Sequence, residues 1–205
     1  MIKAVVFDAG GVLVDLNLDD CRNAFKSVLG FEKIDVLLDP CHQKGIHGDM
    51  EEGRISADEF VAEVLAESRP GSTPEMVKNC MCALLKGIHP SKVALLKSLA
   101  ERGYDLYILS NNNEIAWTQF QRIFLDAGIP IDQTFRKSYL SCRMGVLKPD
   151  PAIFNMVIED LGLEPGEILF VDDSERNATA ACAAGMKGLH YDVGTDLAAL
   201  VDSEL

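Results

Sequence analysis

Short apolar runs alternate with longer stretches of helical spacing along much of the chain, and several of the runs end on polar side chains. Residues Ala4, Val5, Val6 and Phe7 are apolar, β-prone and too few for a helix, which predicts a buried strand leading to Asp8. Asp105-Leu-Tyr-Ile-Leu-Ser110 predicts a second strand ending on a hydroxyl, and Ile168-Leu-Phe-Val171 a later one ending in Asp172-Asp173. Shorter strands are expected within residues 133 to 140 and 188 to 191. Between the strands, Pro90 starts a helix that carries Val93, Leu96 and Leu99 on one face and stops at Gly103. Asn111-Asn112-Asn113 offers caps for a helix from about 114 to 127. Asp150-Pro151 opens another, with Ile153, Phe154, Val157, Ile158 and Leu161 on its face and Gly162 at its end. Ser174 opens a helix of small residues that Gly185 closes, a composition that lets it lie close on a sheet.

Strands alternating with helices imply an α/β fold, a parallel sheet with helices on both faces. One spacing breaks the rhythm. Asp8 and Ser110 end successive core strands but lie 102 residues apart. A strand-helix-strand unit takes about 30 residues, so roughly 70 are left over. The surplus is assigned to residues 17–87, an all-helical insert above the carboxyl end of the sheet, with residues 1–16 and 88–205 as the core. Within the insert, Ser56 and Glu59 form a capping-box pattern ahead of Phe60, Val61, Val64 and Leu65, and Thr73-Pro74 is a second helix start. No strand is expected there.

Composition narrows the function classes. The 205 residues are 48% hydrophobic, enough for a sizeable core, and carry a net charge of −13. Such a chain repels nucleic acid and acidic membrane surfaces, so neither is expected as a partner. An anionic substrate would need a local positive charge, from a metal or a placed lysine. The six cysteines form no regular framework and read as reduced thiols. With no leader segment and no bilayer-length apolar run, the expected setting is the cytoplasm, as a monomer or homodimer.

The strand ends gather the chemistry. In open α/β sheets, ligands bind beyond the carboxyl ends of the strands, and Asp8, Ser110 and the Asp172-Asp173 pair all belong there. Lys148, in Gly145-Val-Leu-Lys148-Pro149-Asp150, sits just before a helix. Carboxylates from two strand ends can share a hard cation such as Mg²⁺. A carboxylate relieved of its repulsion for anions can act as a nucleophile. Ser110 and the N–H groups of the following helix start can hold phosphate oxygens, and Lys148 adds a point charge. The glycines at 10 and 11 let backbone approach whatever Asp8 faces.

Phe7-Asp8-Ala-Gly10-Gly11-Val, Leu109-Ser110-Asn111, Lys148-Pro149-Asp150 and Val171-Asp172-Asp173 resemble, in order, the four motifs of the haloacid dehalogenase-like (HAD) hydrolases, over nearly the whole chain. The resemblance implies a Rossmann-like core with a helical cap inserted after the first strand. It implies Asp8 as nucleophile and Mg²⁺ held by Asp8, the Gly10 carbonyl, Asp172 and Asp173. It further implies Ser110, Asn111 and Lys148 around the phosphoryl group. The expected activity is a Mg²⁺-dependent phosphatase acting on a small phosphorylated metabolite through an aspartyl-phosphate.

Gly10 departs from the phosphatase pattern, which has a second aspartate there as general acid and base. Loss of a general acid costs about 10²- to 10⁴-fold in rate. Asp15, His47 and Glu51 are the candidates to supply the proton from the cap side. The same glycine, with Glu52-Gly53-Arg54-Ile55-Ser56 leading to Glu59-Phe60, is similar to a bacterial phosphatase of α-D-glucose 1-phosphate, which favours a small sugar phosphate. Dehalogenases of the superfamily also lack the second aspartate, but the acidic pair Asp172-Asp173 favours phosphoryl chemistry. A catalytically weak domain that binds a phosphorylated ligand is the non-enzymatic alternative. Taken singly, each residue has an ordinary structural reading: a turn cap for Asp8 or Ser110, a solvated loop for Lys148, a surface role for His42, His47, His89 and His190. Only the ordered set changes that.

Overall fold

The computed structural model describes residues 1–38 and 45–205. The sheet is built on β1 (Ala4–Phe7), all four residues of which are buried. The chain then forms β2 (Val14–Leu16), a run of helices, and β3 (Leu85–Ile88), which returns antiparallel to β2. The remaining strands are β4 (Asp105–Ser110), β5 (Lys137–Leu140), β6 (Ile168–Asp172) and β7 (Lys187–His190). The main sheet is ordered β5-β4-β1-β6-β7, and every neighbouring pair is parallel. Asp8 and Asp172 therefore end adjacent strands, with Phe7 opposite Val171 and Ile108.

Alternation along the strands divides the core in two. Val5 and Phe7, Leu106 and Ile108, and Leu169 and Val171 face the helices Pro90–Glu101, Glu114–Asp126 and Leu197–Asp202, through Leu95, Leu99, Trp117, Phe120, Phe124 and Val201. Val6, Leu109, Ile168 and Phe170 face the helices Pro151–Leu161 and Glu175–Ala183, through Ile153, Phe154, Val157 and Ala181. Fully burying a side chain such as Phe124 or Phe154 contributes about 1.5–3 kcal/mol. The small residues of Glu175–Ala183 have a visible purpose. A Cβ on Gly188 of β7 would lie 2.1 Å from the Ala178 carbonyl, so helix and strand approach to backbone contact.

The helices between β2 and β3 form their own apolar cluster, with Phe25, Leu29, Phe31, Met50, Phe60, Val64, Val77 and Met81, and it reaches the core through Ile115. Helix Ala57–Ala66 begins with the expected capping box of Ser56 and Glu59. Thr73 caps helix Pro74–Cys82. Two expectations are corrected. Residues 85–88 are a strand, since β3 completes a ribbon with β2, which a helical reading of residues 17–87 did not anticipate. Of residues 133 to 140 only Lys137–Leu140 is strand; Ile131–Thr134 is a helical turn seated on Pro130. Cys21, Cys80, Cys82, Cys142 and Cys182 are free thiols, whereas Cys41 and His42 lie outside the described residues. Among the described residues no helix is long and apolar enough to cross a membrane.

Candidate active site

β1 delivers Asp8 to the sheet's carboxyl end, and its N–H still bonds to the Val171 carbonyl of β6 at 2.9 Å. The chain then turns tightly: the Ala9 carbonyl accepts from the N–H groups of Leu13 and Val14, at 3.1 and 2.8 Å. Gly11 sits in this turn at φ +81°, and a Cβ there would fall 2.1 Å from Asp173 Oδ2. Two reasons therefore demand glycine, the left-handed backbone and the carboxylate packed on it.

Lys148 is the electrostatic centre. Its side chain is 1% exposed, and its three N–H groups are all used. Nζ donates to Asp172 Oδ2 at 2.6 Å and to the Leu109 carbonyl at 3.0 Å, and it lies 3.0 Å from Asp8 Oδ1. Burial works against its charge, but the Asp172 and Asp8 carboxylates outweigh this and hold the ammonium above its ordinary pKa. Asp172 is wholly buried; its Oδ1 accepts from the Ser174 N–H at 2.8 Å and from Asn177 Nδ2 at 3.0 Å. Ser110 is buried at the end of β4 and lines the same cavity as Asp8. The Asn111 side chain clamps the Lys148 peptide, with Nδ2 donating to its carbonyl at 2.9 Å and Oδ1 accepting from its N–H at 2.8 Å. That places Asn111 as a positioning group for Lys148, a role its neighbourhood in sequence did not suggest.

Asp8, Asp172 and Asp173 bring carboxylate oxygens within 4.8 Å of one another. Three carboxylates around one ammonium leave two negative charges uncompensated. Asp8 registers the strain: burial above all, then repulsion from Asp172 and Asp173, pushes its carboxyl up to about 7 against the pull of Lys148. Burial and repulsion from Asp172 push Asp173 upward too. An all-oxygen donor set with two excess charges fits a hard divalent cation such as Mg²⁺. Asp8, Asp172, Asp173 and the Gly10 carbonyl are the groups of this loop set that could hold it.

Over this floor lies a cavity of about 630 Å³, within the usual range for small-molecule sites. Leu16, Leu38, Met81, Leu84 and Leu85 give it apolar walls, His47 and Glu51 enter it from helix Gly45–Glu51, and the exposed Arg176 is also on its lining. Asp15 is not brought to the cavity: its carboxylate pairs with the buried Lys92 at 2.7 Å. Arg176, Asn177 and Ser141 escaped the reading of the sequence. Asn177 had a faint signal, as a polar residue in the first turn of a helix that starts beside Asp172. Ser141, a lone serine after a short strand, had none.

A family profile of haloacid dehalogenase-like hydrolases matches residues 2–185. The chain belongs to the haloacid dehalogenase-like hydrolases. It is 35% identical over 198 residues to a D-ribitol-5-phosphate phosphatase of Bacteroides thetaiotaomicron, covering 96% of this chain and 95% of that one. A solved HAD family enzyme of the same organism, in complex with magnesium and inorganic phosphate, is 32% identical with a TM-score of 0.89, over 98% of this chain and 99% of that one. A HAD-like family hydrolase of Porphyromonas gingivalis gives a TM-score of 0.89 at 34% identity, over 99% and 97% of the two chains. Membership accounts for the Rossmann-like sheet and for the acidic strand ends of this HAD-like hydrolase.

The contact between Gly11 and Asp173 makes a test of the floor. Gly11→Ala is expected to displace the Asp173 carboxylate and weaken Mg²⁺ binding by about 10- to 100-fold. The left-handed backbone adds a stability cost of about 1–2 kcal/mol. Calorimetric Mg²⁺ titration and thermal melts measure both, and unchanged Mg²⁺ affinity would remove Asp173 from the cation site.

Proposed function

We propose that the chain is a Mg²⁺-dependent phosphatase that hydrolyses a small phosphorylated metabolite, preferably a sugar or polyol phosphate, through an aspartyl-phosphate at Asp8. The observation that carries this reading is the buried Lys148 ammonium between Asp8 and Asp172, with Asp173 completing a set of three carboxylates. Such a set suits an incoming phosphate only when a cation balances it. The magnesium and phosphate bound by the HAD family enzyme of Bacteroides thetaiotaomicron, and the D-ribitol-5-phosphate phosphatase of that organism, support both metal and substrate class.

In this reading Asp8 Oδ attacks phosphorus and the bond to the leaving oxygen breaks. Water then attacks the phosphorus of the aspartyl-phosphate, releasing inorganic phosphate and restoring the carboxylate. Ser110 holds a phosphoryl oxygen, Lys148 neutralises charge developing on the phosphoryl group, and Asn111 fixes the Lys148 backbone. Bound Mg²⁺ supplies charge neutralisation between the carboxylates and the phosphoryl oxygens. The domain assignment proposed with it is a core of residues 1–16 and 88–205 and a cap of 17–87, a division that cuts β3 near its end. The enzyme is placed in the cytoplasm.

The test is a screen of phosphorylated metabolites that includes D-ribitol 5-phosphate and α-D-glucose 1-phosphate. Turnover of at least one polyol or sugar phosphate is expected, lost in EDTA and restored by Mg²⁺. A chain that hydrolyses 2-haloacids and ignores EDTA would be a dehalogenase. A folded, Mg²⁺-binding chain silent on the whole screen would be a phospho-ligand-binding module.

A further inference from the structure

Gly10 leaves the nucleophile loop without a proton donor, and a side chain there would press on the apolar wall. A Cβ on Gly10 would point at the Leu16 side chain, 3.1 Å away, which belongs to the apolar wall. Among the described residues, the ionisable side chains lining the cavity are Asp8, Asp173, Lys148, Arg176, His47 and Glu51. Asp8 is the proposed nucleophile and Asp173 lies in the carboxylate set. The Lys148 hydrogens are committed to Asp8, Asp172 and Leu109, and a guanidinium keeps its proton. His47 and Glu51 remain, and they belong together. They lie one turn apart on helix Gly45–Glu51, with Nε2 3.7 Å from Oε1 and side chains only 12% and 10% exposed. The Phe60 ring meets the imidazole edge-on at 6.4 Å.

This helix is fastened to the core beside the phosphate floor. Ser141 Oγ, wholly buried, donates to the Glu51 carbonyl at 2.5 Å and accepts from the Asn112 N–H at 2.9 Å. Just beyond, Gly53 runs at φ +76°, so close to the core that a Cβ would sit 2.2 Å from the Cys142 carbonyl. The His47–Glu51 pair is thus anchored two residues from Ser110 along the loop that leads out of β4.

We propose that His47 is the catalytic residue that gives the leaving oxygen its proton, with Glu51 as the positioning residue that steadies the imidazolium. The inference rests on the phosphatase reading above. As the bond from Asp8 Oδ to phosphorus forms, the bond from phosphorus to the leaving oxygen breaks, and its electron pair stays on that oxygen. The imidazolium proton moves there and the alcohol departs. The imidazole recovers its proton from solvent; water then attacks phosphorus, the bond to Asp8 breaks, and the Asp8 carboxylate and dihydrogen phosphate, which keeps the water's protons, result. Among the described residues, the charged groups around the imidazole are Glu51 on its own helix and, on the shared cavity lining, Asp8, Asp173, Lys148 and Arg176.

The experiment compares leaving groups in the full-length enzyme with Mg²⁺. D-ribitol 5-phosphate releases an alkoxide that needs a proton; p-nitrophenyl phosphate releases a phenolate that does not. His47→Gln is expected to lower kcat on the alkyl ester by about 10²- to 10⁴-fold and to leave the aryl ester within about 5-fold. Glu51→Gln should show the same selectivity at about 10-fold. Retained aryl turnover reports an intact fold and floor in the same assay. Equal losses on both esters, or no loss on either, overturn the proposal, and His47→Asn repeats the comparison should the glutamine variant not fold. Failure of wild type on both esters would instead sink the phosphatase reading itself.

Discussion

Asp8→Asn is expected to abolish turnover and, in EDTA, to make the protein more stable. The two effects come from one carboxylate. Removing a covalent nucleophile should cost at least about 10⁴-fold in kcat, because the remaining groups only bind and polarise. Stability moves the other way. In the metal-free protein the Asp8 carboxyl is pushed up to about 7 from an ordinary 3.8, by burial and by the neighbouring carboxylates. The folded chain therefore binds this proton more tightly than the unfolded one. Its contribution to stability is complete below pH about 4 and declines as the pH rises to about 7. The full swing is on the order of 4 kcal/mol. Asparagine removes it, while Lys148 keeps Asp172 and the Leu109 carbonyl as partners. Melts in EDTA at pH 5 and pH 8 should show wild type losing stability across that interval and the variant changing much less. Adding Mg²⁺ at pH 8 should restore more stability to wild type than to the variant. Full activity in Asp8→Asn would refute the covalent route.

Lys148→Met should lower stability and activity together. Its ammonium is the protein's own counter-ion for two buried carboxylates, and taking away one side of a buried pair costs about 3–5 kcal/mol. The loss should be greatest in EDTA at pH 8, where the carboxylates are ionised, and smaller near pH 5. Mg²⁺ should return part of the stability, because any cation relieves the repulsion. It should not return turnover, for which a loss of about 10³-fold is expected once the point charge and its precise site are gone. A variant that melts like wild type in EDTA at pH 8 would mean that water already screens the cluster.

The residues that end strands were legible because the signal is local and strong: an apolar run stops, and the next side chain is Asp8, Ser110 or Asp172. A parallel sheet followed from the alternation of strands and helices, though its order did not, and the caps at Ser56, Thr73, Asn113 and Asp150 are readable from side chain and spacing. What stayed hidden depends on partners distant in sequence. Leu85-Lys86-Gly87-Ile88 has no clear apolar alternation and holds a glycine, and it is a strand because β2 lies beside it. Asn111 also clamps the backbone of Lys148, a residue 37 positions later, which no local pattern announces. Ser141 takes its meaning from Glu51, 90 positions earlier. From the sequence, Gly11 lets backbone approach what Asp8 faces; the left-handed turn and the packed Asp173 carboxylate are announced by no local pattern.

The ribbon of β2 and β3 has a consequence for how such a protein can change. Val14 pairs with Ile88 and Asp15 with Gly87, so the long helical excursion departs and returns through neighbouring strands. Antiparallel partners lie about 5 Å apart, and the sheet sets no condition on the length or order of what lies between. Insertions, deletions and new side chains in the helices can therefore reshape the roof of the cavity without shifting the register that aligns Asp8 with Asp172. Preference for one phosphate ester over another can then vary with the helices that are not tied to the floor, while Gly45–Glu51, held by Ser141, stays in place.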